Sequence, residues 1–200
     1  MIGHSPMASY RSPLPLIAFS LSILLCACAP HPPTSPPRAG NRPFVDAPYI
    51  EQAIHKLINR ERAQQGLPEL GFDARLSHIA RTHSRDMAIR GYFAHKSPER
   101  ADFSDRYREA GYGCSVRIGS KVFLGAENLA LNSLYSAVTR ISGKVIYDWN
   151  SVDVIAQTTV RGWMESAGHR ENIPTPYFRQ EGIGVHVGYD GRVLITQNFC

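Results

Sequence analysis

The chain has no Cys-x-x-Cys pair among its four cysteines, no G-x-S-x-G, no extended Lys/Arg run and no internal repeat. Without closely spaced cysteines there is nothing to begin a structural zinc site. Without G-x-S-x-G, the strand–turn–helix nucleophile of the α/β-hydrolases is missing. The formal charge of +5 and pI near 9.2 suggest a polyanion partner at first sight. Arg11, Arg38 and Arg42 are, however, the only charged residues before position 44. What remains lacks the concentrated basic face that phosphate recognition needs, so no nucleic-acid partner is expected.

The N-terminus is informative. Leu14 to Leu25 is almost wholly apolar, yet short of the roughly 20 residues that cross a bilayer, and it reads as the h-region of a secretion signal. Leu25-Cys26-Ala27-Cys28 resembles a bacterial lipobox, with Cys28 the lipidated cysteine and Ala29 of the type that follows it in outer-membrane lipoproteins. Signal cleavage without a lipid is the alternative. Residues 29–47 hold proline too densely for helix or sheet and should form a semi-rigid spacer of about 3 Å per residue. The expected organisation is a signal peptide at 1–28, a Pro-rich linker at 29–47 and a folded domain at 48–200. The product is expected to be exported and lipid-anchored in the cell envelope, at an outer membrane facing the periplasm. Removal of residues before Cys28 leaves Cys28, Cys114 and Cys200, so one lipid anchor and one Cys114–Cys200 disulfide use every sulfur in an oxidising compartment. Metal ligation by these two is the rival.

Within the domain, Asp46 is positioned to cap a helix with Pro48 in its first turn and Ile50, Ile54, Leu57 and Ile58 as its apolar stripe. Asn59 and Arg62 leave that stripe and are expected to brace the loop 66–70. Asp73 caps a second helix whose inner face is Leu76, Ile79, Ala80, His83 and Met87, ending at Gly91. His83 reads as an interior histidine satisfied by a hydrogen bond. His95 follows on a loop that Ser97 and Pro98 turn, where a positioned imidazole tends to be functional. Residues 103–111 predict a short helix with Tyr107 and Ala110 inward. Glu127 either stands at the edge of the core or opens a helix in solvent. Residues 138–147 suit a hairpin around Ser142-Gly143. Residues 181–187 and 193–197 alternate as two strands turned by Gly191, which indicates an α+β layer fold ending in an antiparallel β-hairpin.

The densest chemistry lies in Arg161 to Asn172, RGWMESAGHREN. Val152, Ile155, Ala156, Val160, Trp163 and Met164 recur at helical spacing, with Asn150 or Ser151 as the cap. Two endings are open: Gly168 stops this helix, or Ser166 caps a new short helix that Pro174 halts. Either way Glu165 and His169 are expected to stay near each other.

These pieces, with HSRDMA, GYFAHKSPE, DRYREAGY, the ENLA block, WMESAGHRENI, EGIGVHVG and ITQNF in order, resemble a bacterial member of the CAP superfamily, the SCP or cysteine-rich secretory, antigen 5 and pathogenesis-related group. The resemblance implies an α-β-α sandwich and a groove of two histidines and two acidic residues, which in several members hold a divalent cation. It places His95, Glu127, Glu165 and His169 in that groove, with Ser166 and Asn172 adjacent. His95, His169 and Glu127 are then the metal candidates, for zinc or magnesium. Eukaryotic members place their last histidine just before the sheet, where this chain has Tyr177-Phe178-Arg179-Gln180. The segment 131–160 is longer than in compact relatives and is expected to cover or reshape the groove. Three functions follow: a binding module for a lipid or cell-wall fragment, a metal-assisted hydrolase of an envelope peptide or polymer, or a structural protein with an internal His/Glu brace. His95, Glu127, Glu165 and His169 are the catalytic candidates for the second, with Ser97 or Ser166 as alternative nucleophiles.

Overall fold

A computed structural model describes residues 42–200. The signal region, Cys28 and all but the end of the spacer lie outside the described residues. Helix α1 (Ala47–Gln64) starts at Asp46, whose carboxylate accepts from the Tyr49 N–H, and α2 (Ala74–Arg90) starts at Asp73 in the same way. Both caps satisfy donors that a helix start leaves unpaired. Between them, Gly71–Phe72 form the short strand β1. Asn59 grips the backbone of Leu70 through both its amide groups, and Arg62 donates to the Pro68 carbonyl, so the loop is braced as expected.

Helix α3 (Phe103–Glu109) buries Tyr107 but leaves Ala110 exposed, contrary to its expected inward position, because the helix ends one residue before it. Strands β2 (Val116–Ile118) and β3 (Lys121–Phe123) form a small hairpin, and β4 (Ala126–Ser133) joins the main sheet. A second hairpin, β5 (Tyr135–Ile141) and β6 (Lys144–Trp149), turns through Ser142 and Gly143, both at positive φ. That backbone matches the twist of two-residue hairpin loops. Helix α4 (Val152–Glu165), capped by Ser151, leads to α5 (Ala167–Asn172), then β7 (Gln180–Val187) and β8 (Arg192–Phe199) close the chain.

The sheet order is β1-β7-β8-β4, with β7–β8 and β8–β4 antiparallel. Ile183 pairs with Gln197 and Val185 with Ile195, as the alternation required. Ile183, Val193 and Ile195 pack with Ile54, Ile155 and Trp163 of α1 and α4, which form one outer layer. The other face of the sheet carries α2, and this contact is unusually close. A Cβ on Gly182 or Gly184 would meet the α2 backbone at 2.3 or 2.0 Å, so only glycine lets helix and strand approach this far. The result is an α-β-α sandwich. Cys114 and Cys200, with Cα atoms 5.6 Å apart, are joined by the expected disulfide.

Two expectations fail here. Gly168 does not end α4: the break is Ser166, in extended backbone, and Gly168 sits inside α5. The second ending, a new helix from Ser166, is the one adopted. The β5–β6 hairpin does not cover the groove. It leaves β4 at Ser133, while the groove residue Glu127 sits six residues back near the opposite end, about 20 Å away at strand rise.

Candidate functional site

Glu127 is the second residue of β4, on the face toward α2 and α3, with its side chain only 1% exposed. It lies on a strand, which removes the reading of an exposed glutamate opening a helix. Arg106 of α3 donates from Nη2 to Glu127 Oε2 at 2.5 Å, and His95 Nδ1 meets Oε1 at 2.9 Å. A carboxylate only accepts, so this contact places a proton on Nδ1 and leaves Nε2 outside the pair. His95 itself is half exposed, at 51%. The loop that carries it is held twice. His83, buried in α2, donates from Nε2 to the Ala94 carbonyl, and Arg106 Nη1 donates to the carbonyls of His95 and Ala101. Burial pushes the His83 imidazole below its ordinary pKa, so it stays the neutral donor this role needs.

His169 comes from the opposite layer, on α5. Its ring centroid is 6.5 Å from that of His95. Burial first, and then the neighbouring imidazole, hold its pKa below the usual histidine value. Strand β4 positions α5 through Asn128, which donates to the His169 carbonyl and accepts from Asn172 Nδ2 at 2.8 Å. Asn128 also donates to Gln197, which donates to fully buried Glu181, which pairs with His55 Nδ1. A polar chain therefore runs from α5 through three strands to α1. His95, Lys96, Phe103, Ala126, Glu127 and Asn172 line a cleft of about 380 Å³.

The structure thus brings His95, Glu127, His169 and Asn172 to one place. Glu165 is exposed at the end of α4 and makes no hydrogen bond or ion pair with the others. The extended backbone at Ser166 puts Glu165 and His169 on two separate helices. Ser166 starts α5 without a side-chain cap bond, and Ser97 only turns its loop, its N–H donating to the Ala101 carbonyl. Two participants were not foreseen, Arg106 and Asn128. Arg106 shows in the sequence only as the neighbour of a core tyrosine in DRYRE, and nothing local marks Asn128 as the link between α5 and the sheet.

These contacts decide whether the candidate cation set fits. Both Glu127 oxygens are committed, to His95 and to Arg106, so Glu127 orients an imidazole rather than offering a ligand atom. Among the described residues no three His, Cys, Asp or Glu side chains converge as a metal-holding group. The residues do not fit a zinc or magnesium site with three protein ligands.

Comparison with known proteins decides the family. The model of CAP, the cysteine-rich secretory protein family, matches residues 55–199. The chain belongs to this family. This CAP domain is 31% identical over 134 residues to the uncharacterized protein YkwD of Bacillus subtilis, covering 67% of this chain and 41% of that relative. It is 30% identical over 149 residues to the uncharacterized membrane protein YlbC of the same organism, covering 74% of this chain and 34% of the relative. The chain therefore spans well under half the length of these curated relatives. Among solved structures, an extracellular protein containing an SCP domain from Bacillus anthracis superposes with a TM-score of 0.55 at 27% identity, over 78% of this chain and 44% of that one. An outer surface protein of Borrelia burgdorferi gives 0.57 at 15% identity, over 78% and 94%, a likeness of fold.

Proposed function

We propose that this CAP domain is an exported, envelope-held binding module whose cleft takes a cell-wall fragment or a lipid by its polar group. The observation that carries the reading is the half-exposed His95, fixed by a carboxylate that is itself buried and clamped by Arg106. A surface imidazole needs no such support for stability. Rigid support from behind is what a recognition group needs to present Nε2 in one direction without losing rotamer entropy on binding. Lys96 adds a donor, Asn172, whose amide N–H groups go to Asn128 and the Glu127 carbonyl, adds its amide oxygen, and Phe103 and Ala126 supply apolar wall. This mixture favours a carboxylate- or amide-bearing wall fragment over a bare acyl chain, and the cleft volume lies in the range of small-molecule sites.

Export is supported by the Cys114–Cys200 disulfide, which belongs to an oxidising compartment, and by the name of the Bacillus anthracis relative, described as extracellular. Lipidation at Cys28 supplies the anchor and the Pro-rich spacer the reach. Among the described residues no helix is long and apolar enough to cross a membrane.

The test is calorimetric titration with defined peptidoglycan stem peptides, glycan fragments and envelope lipids. Saturable binding by the parent and its loss in His95→Ala, with an unchanged melting temperature, is the expected result. No binding by any fragment, or equal binding by His95→Ala, removes this reading.

A further inference from the structure

We infer that the β5–β6 hairpin is a membrane-docking element, and that the domain sits on an anionic bilayer with this hairpin down and the His95 cleft turned away. The hairpin projects from the sandwich and carries apolar side chains that nothing in the fold buries. Ile141 is 57% exposed and Ile146 51%, with Val138 and Val145 also exposed. Cross-strand register puts Val138 and Val145 on one face of the ribbon and Ile146 and Ile141 on the other. The two rungs nearest the turn each pair an apolar with a basic side chain, Ile141 with Lys144 and Val145 with Arg140, one pair on each face, a mixture that matches the boundary of an anionic bilayer on both sides of the ribbon rather than packing against one protein surface. Tyr135, Tyr147 and Trp149 cluster at its base, the last two stacked at 5.0 Å between centroids. Arg140 and Lys144 flank the turn, and residues 135–147 contain no Asp or Glu. Basic and apolar side chains together at the tip, with further apolar residues and an aromatic cluster behind them, form the arrangement that settles at the headgroup boundary of anionic lipid.

The place where the chain enters the domain points independently to the same occupant. Tyr49 Oη donates to Asp153 Oδ1 at 2.9 Å, tying the start of α1 to the start of α4, four residues after β6 ends. The hairpin base is closed at that place by Asn150 N–H donating to the Leu134 carbonyl and Leu134 N–H donating to that of Gly191. The segment that leads back toward residue 42 and the hairpin thus leave the domain at one end. Exposed Phe44 and Tyr189 lie there too. A chain held to a bilayer through its N-terminal segment brings this end, and not the cleft, to the lipid. The inference rests on the proposed export and N-terminal anchor for the membrane met and for which end faces it; the cleft's ligand does not enter it.

The experiment uses the full chain on vesicles of phosphatidylethanolamine and phosphatidylglycerol carrying brominated acyl chains. Ile141→Trp places an indole at the tip, and Phe123→Trp places one on β3, beyond the cleft end of β4. For Ile141→Trp the expected loss is about half of the added emission, as for an indole held at the headgroup–acyl boundary, and for Phe123→Trp none. Arg140→Gln and Lys144→Gln should each weaken vesicle association about fivefold, the equivalent of one surface cation on anionic lipid. Equal quenching of both reporters, quenching of Phe123→Trp alone, or failure of the chain to sediment with vesicles overturns the proposal. So does a lipid-free dimer that Ile141→Asp dissolves while the tip indole stays unquenched, which would give the tip to a second copy. Ligand titration at the cleft is read separately, so loss of one result leaves the other standing.

Discussion

The behaviour of the cleft is set by one carboxylate that has no access to water. Glu127 is tolerable at 1% exposure because Arg106, at 11%, neutralises it. Removing one partner of a buried pair leaves the other charge unpaired. Arg106→Met should therefore lower unfolding free energy by about 3–5 kcal/mol, read by urea denaturation, and should also release the His95 loop. His95→Ala, by contrast, should cost little stability and abolish ligand binding. Acid acts through the histidines that burial holds below their ordinary pKa, His83, His169 and His186, of which His83 is the fully buried one. Its folded pKa is depressed by burial, so the unfolded chain takes up the proton first, and stability falls as pH drops from about 6.5 toward the folded value. Melting temperature measured from pH 7 to pH 5 should decline, and His83→Gln should flatten that part of the profile.

At the level of elements, helix starts and the inner faces of helices were legible because each is a local pattern: a carboxylate before a period, then apolar side chains three and four apart. The break between α4 and α5 was legible only as one of two alternatives. Glycine at 168 offers left-handed backbone that the chain does not use, because Asn128 and Asn172 hold α5 in helical geometry against β4. That tie is non-local, and no window of sequence contains it. The same holds for Arg106 on Glu127 and for His55 on Glu181, separated by 126 positions. The site's histidines and its glutamate could be read from motifs, whereas the residues that aim them could not. Helix α2 and strand β7 meet through Gly182 and Gly184, so either Gly→Ala change must push backbone apart. A loss of at least about 1–3 kcal/mol is expected from such overpacking, measurable by thermal unfolding, with Gly184→Ala the worse because its approach is the shorter.

The whole molecule is closed by a bond between Cys114 and Cys200, 86 positions apart. Reduction or Cys114→Ser should cost about 4–5 kcal/mol on the chain-entropy account, seen as a lower denaturant midpoint under reducing conditions. The order of strands carries a further consequence. Strand β8 is paired on both sides, with β7 and with β4, yet it follows every other element of the sheet. Val193, Ile195 and Phe199 belong to the core that α1 and α4 close over, so a growing chain is expected to complete that core only after residues 192–199 have been made. Under the export proposed above, such delay keeps the chain in a state that a narrow secretion channel can thread. A fragment ending at residue 191 should remain protease-sensitive in the cell, where the longer chain resists.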